Sequence, residues 1–574
     1  MKKYIHSAII KKDLGRFAPL WGLASVFIAL YLLFAWTAVE ATAELFSMTE
    51  YILQSMGIVS FIYAGICGLC LFSDLYDTRL CNALHAMPVS REGWFWSHVA
   101  SGILFCLIPA VVGTLLGSLL LGKYFYGALL WLALTILEFL FFFGAAALSA
   151  MCGGTKLGAM AVYGVINLLV YLVSFVFTYL FQPLLSGVYV DFDAMMPLSP
   201  VAQLTASEFL NISYSYAEHT AEIQKFIPGD WVYAGVTALA GLGLLALAQV
   251  LYKKRHMESA GNTVSFKPVA PVLLVLYTLC IGVFLYMIAE EVGFLPWFML
   301  LSGLAIGFFT GRMLLEKQIK VFYKKNWISF GILVLSLAVA LGITKLDPLG
   351  VSRYVPKAEN VVSVTMAPSS TFITYRDTNI TLTEPEDIEK IIAFNKKIYK
   401  EGNSEEYITV FLQYKLKNGK KINREYKIAY TQENREFMHS FYSRWECLIG
   451  NIDKERLLNK LVFAEVYDWD DRFSQIWISE GLDQEVYDYK EENLLILPKV
   501  GNDEIVKQLI EAIYADCQNG TLSQMYNQTH SKGSITLQLY NFSEDREYID
   551  ITYYENCENI LEVIEQLKLK TVQD

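Results

Sequence analysis

The stretch ISFGILVLSLAVALGIT (residues 328–344) closes the apolar part of the chain, and KLDPLGVSRYVPKAEN (345–360) begins an ordinary water-soluble protein. Toward the N-terminus, eight more apolar stretches lie at 19–39, 51–72, 99–121, 128–152, 159–181, 231–252, 269–289 and 295–315. Each is near the roughly 20 residues that a helix needs to cross about 30 Å of hydrocarbon. Nine crossings would put the two chain ends on opposite sides of a membrane. The reading is a polytopic α-helical membrane protein, N-terminus in and C-terminus out, followed by an extracytoplasmic domain.

The charges orient it. Of the 20 Lys and Arg before Leu346, 17 fall in segments that are cytoplasmic if the N-terminus is, leaving Lys123, Lys225 and Lys345. This is the positive-inside bias, met in five successive segments. Residues 346–574 hold 39 acidic and 26 basic residues, so the net charge of −11 belongs to that part. It argues for solubility and against a nucleic-acid partner. A hydrophobic fraction of 54% and a mean hydropathy of +0.36 fit a membrane protein with a soluble appendage. The expectation for the start is a signal anchor without a cleavable leader, preceded by a short basic amphipathic helix over about 4–17 on the inner leaflet. The nine cysteines follow no metal or redox pattern; Cys67 and Cys70, in an apolar helix, read as packing residues.

The loop SDLYDTRLCNALHAMPVSREGWFWSH (73–98) is the most informative polar segment. Leu80, Ala83, Leu84 and Met87 recur at helical spacing beside polar Asp77, Arg79 and Asn82. That predicts a short amphipathic helix over about 77–87, stopped by Pro88. Trp94 and Trp96 fall where an aromatic belt is expected. Such a helix is either a plain interfacial connector or an element that plugs into a cytoplasmic partner. No G-x-x-x-x-G-K-[ST] occurs, and no cytoplasmic segment can house a nucleotide-binding domain.

Met87-Pro88-Val89-Ser90-Arg91, placed after such a helix and between spans two and three, resembles permeases of ABC-2-type exporters. The resemblance covers about residues 1–255. It implies a six-helix core, a coupling helix at 77–87 carrying Asp77, Arg79, Leu80, Leu84, Met87, Pro88 and Arg91, and an outer segment dipping into the membrane. Residues 182–230, with Met196-Pro197-Leu198-Ser199-Pro200, match that segment, and Pro197 and Pro200 become outer-gate candidates. The resemblance also implies a separate cytoplasmic ATPase subunit binding ATP, with no cofactor in this chain, and a second permease subunit as homo- or heterodimer. Spans seven to nine (256–345) and the outer domain lie outside the family plan.

Within the spans, Glu138 and Asn167 are translocation-path candidates, because polar groups in hydrocarbon must be paired, neutralised or functional. The competing reading is structural: a protonated Glu138 bonded to Thr135 or a tyrosine, and Asn167 and Gln249 as interhelical hydrogen-bond partners. The outer domain reads as α+β in two similar lobes, about 360–460 and 461–574. A helix after Thr383-Glu-Pro-Glu, with Thr383 and Glu386 as capping box, is matched about 118 residues on by a helix after Asn502. Each is followed by an alternating strand, a turn back and a second helix. No catalytic or metal-ligand cluster is legible. The expected function is the permease subunit of an ATP-driven exporter of an antimicrobial peptide, drug or lipid in the cytoplasmic membrane. The alternative is a non-transporting sensor or scaffold whose outer domain binds an extracellular ligand.

Overall fold

A computed structural model describes residues 5–39, 41–81, 88–190, 193–215, 220–367, 380–401, 407–429, 431–442, 444, 454–468, 494–498, 503–522, 531–539 and 547–571. Among them are nine helices long and apolar enough to cross a membrane, which makes a multi-pass membrane protein. The chain divides into two compact units: Met1–Leu184 with Asp191–Leu346, and Leu185–Val190 with Asp347–Asp574.

The first unit starts with the short helix α1 (Ser7–Arg16). The long helices are α2 (Ala18–Thr37), α3 (Thr42–Leu71), α4 (Arg91–Leu121), α5 (Tyr126–Cys152) and α6 (Lys156–Val176). The segment before the sixth long helix carries a turn at Asp193–Leu198, the short helix α7 (Pro200–Ala206) and an antiparallel hairpin, β1 (Leu210–Ser215) with β2 (Thr220–Phe226). Then come α8 (Pro228–Lys254), α9 (Val269–Val292), α10 (Pro296–Glu316) and α11 (Lys324–Leu346).

Burial sorts these helices. Half of the apolar window of α5 is buried, and none of that of α2 or α11 is. Residues 141–151 of α5 are buried all round, with Gly144 and Ala145–Ala147 letting neighbours come close. At Gly144 an added Cβ would lie 2.3 Å from the Gly241 carbonyl oxygen of α8, and at Gly241 it would lie 2.4 Å from Leu140 O. Two backbones touching in this way gain dispersion contacts where lipid removes most of the hydrophobic drive. In the core of the same unit, Phe72, Phe95, Phe105, Phe142 and Phe143 are all fully buried.

The second unit holds two four-stranded antiparallel sheets. The first is built from β3 (Val361–Ala367), β4 (Ile380–Leu382), α12 (Pro385–Glu401), β5 (Tyr407–Leu416), β6 (Lys421–Ala429) and α13 (Gln432–Tyr442). After the short α14 (Lys454–Lys460), the second is built from β7 (Leu461–Asp468), β8 (Leu494–Pro498), α15 (Asp503–Gln518), β9 (Ser531–Leu539), β10 (Glu547–Tyr554) and α16 (Glu558–Thr571). Strand order is β4-β3-β5-β6 in one and β8-β7-β9-β10 in the other, the same succession and the same neighbours. In each, the helices cover the sheet with aliphatic side chains: Ile388 and Ile391 against Val364 and Val410, Leu509 and Ile513 against Ile535 and Leu537.

Local chemistry departs from expectation at the start of α12. The Ile388 amide bonds Glu384 O, so the cap of α12 is Glu384 rather than Thr383, because Pro385 takes the first helical position. In the second lobe β7 pairs with β8; residues 469–493 and Asn502 lie outside the described residues.

Candidate functional site

The loop between α3 and α4 is anchored before it is exposed. One tight turn at Ser73–Leu75 follows α3, and it buries Asp74. Arg16 of α1 donates to Asp74 Oδ1 at 2.8 Å, and Lys12 Nζ stands 3.8 Å from Oδ2. Asp77 Oδ1 then accepts from the amides of Arg79 (2.8 Å) and Leu80 (3.3 Å), the geometry of a helix N-cap. Residues 78–81 are helical; Leu84 and Met87 lie outside the described residues. Asp77, Arg79 and Leu80 are exposed, and Leu80 is 44% exposed, large for a leucine in a polar turn.

Pro88 is exposed just before α4, whose cap is Ser90, its Oγ accepting from Gly93 N at 3.0 Å. Arg91 does not reach outward. Its Nη1 lies against the last carbonyls of α8, 3.1 Å from Lys253 O and 3.4 Å from Arg255 O, where a cation meets the negative helix end. Arg255 works the other way round. Its guanidinium, nearly fully buried, donates to Ala150 O (2.8 Å) and Met151 O (3.2 Å) at the end of α5 and to Leu75 O (3.0 Å) in the loop. Burial lowers its pKa from the ordinary guanidinium value.

Helix α1 is held to α4 by a buried polar cluster. Asp13 Oδ2 accepts from Ser101 Oγ at 2.8 Å and stands 2.7 Å from His98 Nδ1, all three residues being buried. The His6 amide donates to Ser97 Oγ at 2.9 Å. Trp94 is not a belt residue: it is 5% exposed and packs against His98 and Tyr252, with ring centroids 4.2 and 5.2 Å away. The cause is the packing of that face against Phe72 at the end of α3 and Tyr252 of α8; Trp96 is half-buried.

Deeper in the bundle, Glu138 is fully buried and accepts from Ser60 Oγ of α3 at 2.8 Å, while Thr135 bonds its own helix at Trp131 O. Glu138 Oε1 has no partner among the described residues. Asn167 meets the 193–206 segment through its backbone, whose carbonyl accepts from Ser199 Oγ at 2.9 Å, while its side-chain amide donates to Tyr163 O on its own helix at 2.9 Å; Tyr233 OH donates to Pro197 O at 2.9 Å. Pro200 opens α7 at its first position, and Leu204 of α7 is fully buried. Asn167, Pro197 and Pro200 are thus brought into one contact region, with Glu138 held separately by α3. Gln249 is half-buried.

Sequence spacing misses Asp13, Asp74, His98 and Arg255, because each partner is distant along the chain. One signal was present for Asp13, the sole acid in the first 17 residues. Among the described residues no group of three or more His, Cys, Asp or Glu could hold a metal. No protein-family model, curated protein or solved structure matches this chain.

Proposed function

We propose that this chain is the membrane-spanning permease subunit of an ATP-driven exporter resembling the ABC-2 type. It lies in the cytoplasmic membrane, with α1 and the 73–91 loop inside and residues 347–574 outside. A separate cytoplasmic ATPase binds the ATP, a second permease subunit completes the path, and the cargo is an amphipathic peptide, drug or lipid. The chain itself catalyses nothing. The observation that carries this reading is the mounting of the loop. Its exposed tip (Asp77, Arg79, Leu80) sits on a base tied to α1 through Asp74–Arg16, to α5 and α8 through Arg255, and to α8 through Arg91. Force applied at the tip would therefore reach α1 through an ion pair, and α5 and α8 through charged bonds to backbone, rather than through a slack connector. Glu138, on α5, would then ride with that motion.

The even number of crossings between the fifth long helix and the outer domain has its own support. Val188, which follows the fifth long helix, forms a bridge with Arg424 inside the second unit, whose remainder follows the ninth helix. Two points separated by four crossings return to the same side, as nine single crossings require. The two sheets of like topology are read as a duplicated outer module that senses or receives cargo.

Two experiments test the proposal. An impermeant thiol label on intact cells should modify Asn418→Cys and spare Glu258→Cys, both sites being exposed in the fold; the reverse pattern ends the orientation. The second is purification from native membrane, which should bring down an ATPase whose activity rises with cargo. Leu80→Asp and Leu84→Asp should abolish that association, because a charge desolvated at a protein contact costs several kcal/mol. A complex that forms normally with both variants, or a chain that carries no ATPase at all, leaves the sensor or scaffold reading in its place.

A further inference from the structure

Between α6, α9 and α10 runs a groove of about 400 Å3 whose lining is almost wholly apolar. One wall is a single face of α6: Leu157, Ala161, Gly164, Leu168 and Leu172. From Leu157 to Leu172 that face is about 22 Å long at 1.5 Å per residue. Leu274 and Tyr277 of α9 and Leu314 of α10 form the other side. The groove opens sideways, for Leu157, Leu314 and Tyr277 are 55%, 47% and 39% exposed. Its size falls in the range of about 300–1,000 Å3 usual for small-molecule sites.

The end of the groove is closed by a strap, residues 256–268, threaded under the α5–α6 turn. Gly154 N donates to Thr263 O, Ser265 N donates to Cys152 O, and Ser265 Oγ donates to Gly153 O at 3.2, 2.7 and 3.0 Å. The strap lies so close to α6 that a Cβ on Gly158 would overlap Thr263 O. Lys156, the first residue of α6, directly precedes the lining residue Leu157, and Lys267, two residues before α9, lies in the strap between the lining residues Thr263 and Leu273, so that both exposed lysines adjoin the strap end of the groove. Both helices point their positive ends there. The acid closest in sequence to the α10 wall, Glu316, is engaged by Tyr323 and Arg312.

An acyl chain gains little by leaving other lipid for an apolar groove, so selectivity must come from the headgroup. We propose that the groove is a binding site for one anionic phospholipid, with an acyl chain along α6 and its phosphate between Lys156 and Lys267. This goes beyond the exporter reading and does not depend on it.

The full-length protein, delipidated in detergent, would be titrated with phosphatidylglycerol and with phosphatidylcholine of identical chains and read by native mass spectrometry. One phosphatidylglycerol should bind with roughly thirtyfold preference, the value of two lysines beside an anionic headgroup. Gly164→Leu should remove binding of both lipids, since nothing lies within 4 Å of a Cβ there and the side chain fills the groove. Gly235→Leu, equally unobstructed but on α8, should bind as the wild type does. Lys156→Gln with Lys267→Gln should erase the preference and keep the phosphatidylcholine level. Equal binding of both lipids by the wild type, or undiminished binding by Gly164→Leu, overturns the site; should Gly164→Leu not fold, the lysine pair decides it alone.

Discussion

The interior of the membrane unit and its α1 end are held together by opposite means. Inside, α5 and α8 meet glycine to glycine, and fully buried phenylalanines fill the remaining space. At the α1 end, cohesion passes through charges: Arg16 and Lys12 on Asp74, Arg255 and Arg91 on helix-terminal carbonyls, Glu92 on Lys253 at 2.6 Å. The interior is specified by volume, with no slack for an extra methyl. The α1 end is specified by hydrogen-bond direction. On the proposed exporter reading, an end that carries a docking loop and an interior that moves as blocks would suit these two designs.

The comparison is broken most directly in the interior. Gly241→Val would drive a methyl-bearing Cβ into Leu140 O, which is backbone and cannot swing aside. The expected loss is about 3 kcal/mol or more, seen as a large drop in melting temperature or as loss of the monodisperse peak in detergent. A variant that melts like the wild type would show the helix contact to be loose, and the contrast would vanish. Next in size is Arg255→Ala, which strips donors from three backbone carbonyls. It should cost about 2–3 kcal/mol, with Arg255→Lys recovering less than half because an ammonium lacks the planar fork. Equal melting of Arg255→Lys and wild type would make that end a matter of charge alone. Asp74→Asn should follow at about 1 kcal/mol, since its two cations are half exposed, with an effect that shrinks in salt.

The interior was far more legible in the sequence than the α1 end, and the reason is physical. A span declares itself by about 20 apolar residues in a row, a purely local signal. The repeated strand–helix order after Leu346 was readable for the same reason, through turn residues and alternation. The loop tip, with Asp77 as cap and Leu80 outward, also follows from local pattern. Arg255 was different. In Lys253-Lys254-Arg255 it is one of three equivalent basic residues, yet it alone turns inward to a carbonyl of Leu75, 180 residues away. Likewise Trp94 has the position of an interface anchor and becomes core because Phe72 at the end of α3 and Tyr252 of α8 pack on it. No spacing rule encodes which side of a helix another helix will take, and the contact of Ser199 with the Asn167 carbonyl was hidden in the same way.

The smallest expected effect sharpens the contrast by testing whether the α1 end is solvated at all. Glu92 and Lys253 form a 2.6 Å ion pair joining the start of α4 to the end of α8, with side chains 27% and 49% exposed. A buried pair of that length would couple strongly. A solvated one yields modest Coulomb energy and loses side-chain freedom in exchange. Each charge also sits at the favourable end of its own helix dipole, so the single variants Glu92→Gln and Lys253→Gln lose that contribution independently of the pair. A double-mutant cycle removes it and isolates the contact. The coupling should come out below about 1 kcal/mol at low salt and fade in high salt, where exposed charges are screened. A coupling above about 2 kcal/mol that ignores salt would mean that this end is as dry as the interior, and the helices there would be locked rather than free to tilt.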